Sequence, residues 1–184
     1  MPRRPSPQDV VRPLLRVRQI REHTSQPVDE AAVAAIADAG RWSGSSQNQQ
    51  PWRFIVIRSE VTIRQIAVLG QPQTRSLHTA MAAVAVVMPA EPERAVADAF
   101  DEGRAAERML IAASLLGLGG AIAWITRDAR APVAALLGLP KDRMVRTIVA
   151  LGHPTEAARR PKSAPGAARR PRDEAVFEER WPAG

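Results

Sequence analysis

The chain contains no cysteine and no tyrosine, only three phenylalanines, and only two lysines, Lys141 and Lys162. Without thiols there is no disulfide, no thiolate nucleophile and no thiolate-bound metal. The three histidines, His23, His78 and His153, lack metal-binding spacing, and no metal site is expected. H-E-x-x-H, G-x-S-x-G, a Walker loop and a complete G-x-G-x-x-G are all absent. The carboxylates sit mostly in amphipathic helical contexts, where solvated roles are expected, and nothing points to hydrolysis. No secretory leader is visible, because residues 1–13 are rich in arginine and proline without an apolar stretch. Residues 109–126 form an uncharged run of 18, the length at which a membrane helix must be considered, but Gly117, Gly119 and Gly120 interrupt it. A buried helix followed by a buried strand is the expected structure. No membrane partner is expected, and a cytoplasmic location is.

What is present bounds the answer further. A chain of 184 residues with 45% hydrophobic content fits one globular domain with a proper core. The net charge of +7 comes almost entirely from arginine and concentrates at the ends. Residues 1–22 carry six arginines against two acids, and residues 159–172 carry five arginines and one lysine with no acid. Two such clusters either converge on one phosphate or form solvated basic tails. A nucleic-acid footprint would be a stripe with interleaved aromatics, and with aromatics this scarce no nucleic acid is expected.

Periodicity predicts a short helix from Asp9 to Val17 and a second capped by Asp29, with Val33, Ile36 and Ala37 on its apolar side and Gly40 closing it. Strands are predicted at Arg53–Arg58, Ala83–Met88, Ala121–Ile125 and Val145–Gly152, and helices at Val61–Leu69, Asp98–Leu116 and Pro132–Leu139. In the long helix Phe100, Gly103, Ala106, Leu110, Ala113 and Leu116 are spaced for one buried face. Trp52 reads as core, and His78 as an exposed histidine without a partner. The last 30 residues, broken by Pro161, Pro165, Pro171 and Pro182, read alone as a linker-like tail.

The stretch around which the chain is organised runs Gly40 to Ile57, G-R-W-S-G-S-S-Q-N-Q-Q-P-W-R-F-I-V-I. Eight small or amide residues, Ser43 to Gln50, lie between two tryptophans without a single charge. Small residues admit a ligand to the backbone, amides read its edges and indoles cover its faces, so the stretch suits a flat, edge-polar heteroaromatic. A turn that merely caps two elements has the same composition.

W-S-G-S-S-Q-N-Q-Q-P-W-R-F-I-V resembles the signature A-P-S-S-x-N-x-Q-P-W-x-F-x-V of the FMN-dependent nitroreductase family. Four further landmarks follow the family's order: V-R-Q-I-R at 17–21, Gly-Leu-Gly at 117–119, L-L-G-L-P at 136–140 and A-L-G-H-P at 150–154. The resemblance implies an α+β fold of three layers, with a mostly antiparallel sheet of four to five strands flanked by helices. It further implies a domain over residues 1–154 and a C-terminal extension, 155–184, that wraps the partner of a homodimer and lends a fifth strand.

The implied cofactor is FMN. Carried over position by position, Arg18 and Gln19 meet its phosphate, and Arg21 faces its pyrimidine side. Gly44, Ser45, Ser46 and Asn48 line the ring. The backbone of Ile122, Ala123 and Trp124 borders it, and Arg169 or Arg170 returns to the phosphate. Val17, Gln19 and Gly44 depart from the family's usual Arg, Ser and Pro. The implied activity is hydride transfer from NAD(P)H through the flavin to a nitroaromatic, a quinone or a similar small acceptor, with no protein side chain as the catalytic group. The alternatives are a flavin carrier or sensor without turnover and, further off, a basic nucleic-acid-binding domain.

Overall fold

The computed structural model describes residues 5–164, 167 and 169–182. Four strands, β1 (Arg53–Ile57), β2 (Ala82–Pro89), β3 (Gly119–Trp124) and β4 (Arg143–Gly152), form one sheet in the order β1-β2-β4-β3, with every pair antiparallel. β2 and β4 lie at the centre and are apolar on both faces, as strands covered on both sides must be. Ala83, Ala85 and Val87 point to one core together with Ile63 and Ile66 of α3 (Glu60–Leu69) and Val133 of α5 (Arg127–Leu136). Ala82, Val84, Val86 and Met88 point to the other, with Val33 and Ile36 of α2 (Glu30–Arg41) and Met109 and Leu110 of α4 (Ala95–Leu115). The fold is therefore α+β and three-layered, as the resemblance implied.

Several local expectations are revised. Gly40 does not close α2 in a left-handed cap but lies within its last turn, where a Cβ would stand 3.1 Å from Met109 and 3.2 Å from Phe54. It is small because α4 and β1 approach it. On α4, Phe100, Gly103 and Leu116 face outward instead of inward, and the buried stripe runs Asp98, Asp101, Glu102, Ala105, Ala106, Met109, Leu110 and Ala113. Three carboxylates expected to be solvated are thus inside. Glu102 accepts from Arg146 Nε at 2.8 Å and Nη2 at 2.5 Å. Arg146 is the extra residue of a bulge, since Val86 pairs Thr147 while Val87 pairs Val145. The first helix, α1 (Pro7–Arg16), begins at a Ser6–Asp9 capping box, continues through Pro13 and buries no residue. Among its described residues the tail has a short helix, α6 (Glu156–Arg159), and a 3-10 turn at Arg172–Glu174.

Residues 19–24 cover the sheet edge that β3 would otherwise expose. Ile20 N–H donates to Gly120 O at 2.8 Å, Thr24 N–H to His153 O at 2.8 Å, and His23 bridges Pro154. This close pass explains two glycines. A Cβ at Gly119 would come within 2.7 Å of Ile20 Cγ2, and one at Gly152 within 2.6 Å of His23 Cβ. Neither neighbour is the free end of a flexible side chain. Gly152→Ala is therefore expected to lose roughly 1–3 kcal/mol through overpacking, measured by urea denaturation, whereas Gly103→Ala, with nothing near its Cβ, should not destabilise.

Candidate functional site

The edge segment, the stretch before β2 and the chain after α6 enclose a cleft of about 670 Å³. Arg16, Arg18, Arg21, Arg75, Lys162 and Arg169 line it, against one acid, Glu22. Basic residues from both ends of the chain thus line one cleft. A site with this charge suits a phosphate or another small polyanion, since arginine presents a planar fork of donors and keeps its charge.

The predicted residues differ in what they do there. Arg18 donates to Ala158 O at 2.7 Å and Arg159 O at 2.5 Å, so part of its guanidinium ties the tail to the edge segment. Gln19 turns to the sheet: its Oε1 accepts from Ile122 N–H at 3.2 Å and from Arg21 Nη2 at 3.1 Å. One amide oxygen thereby links a cleft cation to β3. Ile122 is half-buried, Ala123 sends its side chain into the core, and Trp124 remains 45% exposed at the strand's end. Arg169 lines the cleft, while Arg170 does not and lies 4.0 Å from Glu174.

Sequence reasoning missed Arg75 and Thr79, and counted Lys162 only as one charge of the C-terminal basic cluster. Arg75 and Thr79 belong to the segment before β2, and the fold alone brings them to Arg21. Thr79 Oγ1 accepts from His23 N–H at 3.1 Å and donates to Arg21 O at 3.4 Å, fixing the backbone between the two. His78 is exposed as expected but has a partner, Gln71 Nε2 at 2.9 Å. Trp52 is core, as expected.

The Ser43–Gln50 bend contributes nothing to the cleft wall. It follows α2 and packs on α4. Gln47, Asn48 and Gln50 hold φ of 50°, 54° and 48°, a left-handed conformation that L residues adopt at a cost of about 1 kcal/mol or more each. Ser45 organises the turn by accepting Gln50 N–H on its Oγ at 2.8 Å and Asn48 N–H on its carbonyl at 3.1 Å. Ser46 and Asn48 are exposed, Gly44 and Ser45 half-buried. The resulting face carries hydroxyl and amide groups and no charge.

A sequence profile described as the Nitroreductase family matches residues 16–153. A protein of Archaeoglobus fulgidus whose name joins NADH dehydrogenase to NAD(P)H nitroreductase is 29% identical over 148 residues, 76% of this chain and 82% of its own length. The structure of an FMN-dependent nitroreductase from Clostridium difficile superposes with a TM-score of 0.77 at 19% identity, covering 92% of this chain and 98% of that one. That of the NADPH:FMN oxidoreductase of Vibrio harveyi in complex with NAD+ gives 0.76 at 23% identity, covering 94% and 78%.

His23, behind the cleft, is 5% exposed, and its Nε2 has no hydrogen-bond partner among the described residues. Burial, with a smaller contribution from the Arg64 charge, lowers its pKa below the ordinary 6.5. The unfolded chain then takes up a proton that the folded chain refuses, so stability is unaffected above pH 6.5 and falls as pH drops below it, until the folded imidazole also protonates. Melting temperature should decline with acid in that window, and His23→Gln should flatten that part of the profile.

Proposed function

This chain belongs to the nitroreductase family, and on that premise we propose that it is an FMN-dependent oxidoreductase, working as a homodimer, that carries hydride from NAD(P)H to a small acceptor such as a nitroaromatic or a quinone. The observation that carries the reading is the convergence of Arg18, Arg21, Arg75, Lys162 and Arg169 on one cleft beside the β3 edge. The donor set fits the anionic end of FMN: cations for a phosphate, with Gln19 beside them in the cleft lining.

Bound FMN supplies the two-electron chemistry, accepting hydride from the nicotinamide and passing it on. The chain's own residues hold and tune. Arg75, Lys162 and Arg169 neutralise the phosphate, while the part of Arg18 not bound to the tail carbonyls completes the cradle. Arg21, tied through Gln19 to Ile122, is kept near the pyrimidine side, where a preorganised cation favours the negative charge of the reduced state. The backbone of Ile122 to Trp124 borders the ring, and the indole of Trp124 limits which acceptors stack upon it.

Gly44, Ser45, Ser46 and Asn48 cover the other side of the ring from a second copy of the chain. Two observations support this: the bend does not line the cleft of its own chain, and the chain has exposed apolar side chains for such a copy to bury. Val10, Val11, Leu14 and Leu15 of α1 and Phe100 of α4 are all exposed, apolar side chains that a second copy would cover. The C-terminal extension, residues 155–184, belongs to the same arrangement: its exposed Val176 and Trp181 suit a partner's surface.

The protein purified from its host, or mixed with FMN, should show flavin absorbance that bleaches on anaerobic addition of NADH or NADPH and returns with a quinone. Flavin that bleaches with dithionite and with neither nicotinamide would indicate a carrier instead, and no flavin at all would end the proposal. Arg21→Ala should weaken FMN binding about tenfold or more, as expected for a charge-assisted hydrogen bond, with the fold intact by circular dichroism.

A further inference from the structure

Asp101 lies on the buried stripe of α4, with its side chain 3% exposed, yet it does not face the sheet core alone. Its Oδ2 accepts the Ser46 N–H at 3.0 Å and its Oδ1 the same N–H at 3.3 Å. One turn further along α4, Arg104 sits 3.7 Å from Asp101 and lies across Gly44, where a Cβ would come within 2.3 Å of its Nη2. One turn further still, Arg108 Nη1 donates to Trp42 O at 2.6 Å. Three side chains on one helical stripe therefore hold the bend at its start, at its glycine and at Ser46.

We propose that Asp101 is a positioning residue for the Ser45–Asn48 face: its carboxylate fixes the Ser46 amide so that the strained turn presents its hydroxyl and amide groups to a bound ring. The assignment of a ring to that face rests on the function proposed above. The chemistry favours a carboxylate over a neutral acceptor. Left-handed backbone at Gln47, Asn48 and Gln50 persists only where the surroundings over-determine it, and a hydrogen bond to an ionised acceptor is about twice as strong as one between neutral groups. The anchor is also rigid, because α4 is locked to the sheet by Ala105, Ala106 and Met109 on the same stripe. Gly44, where proline is usual in the family, follows from the same device: any β-carbon there would displace Arg104. The guanidinium can swing away, so Gly44→Ala releases the brace rather than unfolding the chain.

The test compares Asp101→Asn, which keeps an acceptor, with Asp101→Leu, which fills the site without one; Asp101→Ala replaces the latter if leucine does not fold. Two readouts are taken on the full chain: hydrogen exchange at the Ser46 amide, and affinity for FMN by visible absorbance. The leucine variant should lose Ser46 protection and FMN affinity by about tenfold or more each, while the asparagine variant stays within a few-fold of the parent in both. Unchanged Ser46 protection in the leucine variant overturns the brace. Lost protection with unchanged FMN affinity overturns the positioning role. A parent that takes up no FMN refutes the function proposed above, and Ser46 exchange alone then decides whether Asp101 holds the bend.

Discussion

The pairing of residues 19–24 with the outer edge of the sheet is the constraint from which the site follows. A sheet in the order β1-β2-β4-β3 leaves β3 with a row of unpaired groups, a liability for any soluble chain. Ile20 and the Gln19 side chain satisfy part of that edge, and Thr24 continues the pairing onto His153 just past β4. The cover brings Arg18 and Arg21 alongside β3, forces small residues at Gly119 and Gly152, and buries His23 against both. Thr79 and Arg75 join from the segment before β2, and the tail joins because Arg18 holds its carbonyls. Closing an edge and gathering basic side chains around one cleft are here the same event.

The second organising feature is the acidic stripe of α4. Burying a carboxylate is costly unless a charge or donors compensate it, and each of the three has its compensation: Asp98 by Arg94 at 3.3 Å, Asp101 by Ser46 and Arg104, Glu102 by Arg146. Such groups define orientation more than they add stability. Apolar contacts alone would let α4 slide or rotate by a residue, whereas an ion pair to a β4 bulge and a hydrogen bond to the bend fix its register against both the sheet and the loop.

Much of the architecture was legible in the sequence because strands buried on both faces read as unbroken apolar runs, and Ala83 to Met88 is one. The bend was legible from its lack of charge, and the basic ends from their clustering. The outward turn of Phe100 was not. On α4 the residues Phe100, Gly103 and Leu116 have helical spacing too, and periodicity cannot tell a core face from a face left for a partner when alanines occupy both. Glu102 and Asp101 were read as solvated because Arg146 and the Ser46 amide lie 44 and 55 residues away from them in sequence, and the local pairs of Arg94 with Asp98 and Arg104 with Asp101 look like ordinary surface pairs of a helix. Arg75 was missed because only the fold joins it to Arg21.

Cleft and bend lie apart within one chain, and the account stands on their meeting between two copies. Mixing two defective proteins tests this most directly. One carries Arg21→Ala with Arg75→Ala and keeps its bend; the other carries Ser46→Pro with Asn48→Ala and keeps its cleft. In a mixed dimer one site would receive an intact cleft and an intact bend. After dissociation and reassociation the mixture should regain bound FMN, up to one per mixed dimer, and NAD(P)H-dependent turnover, although neither protein alone has them. A mixture as empty and inactive as its components, with mixed dimers demonstrably formed, would contradict the shared site.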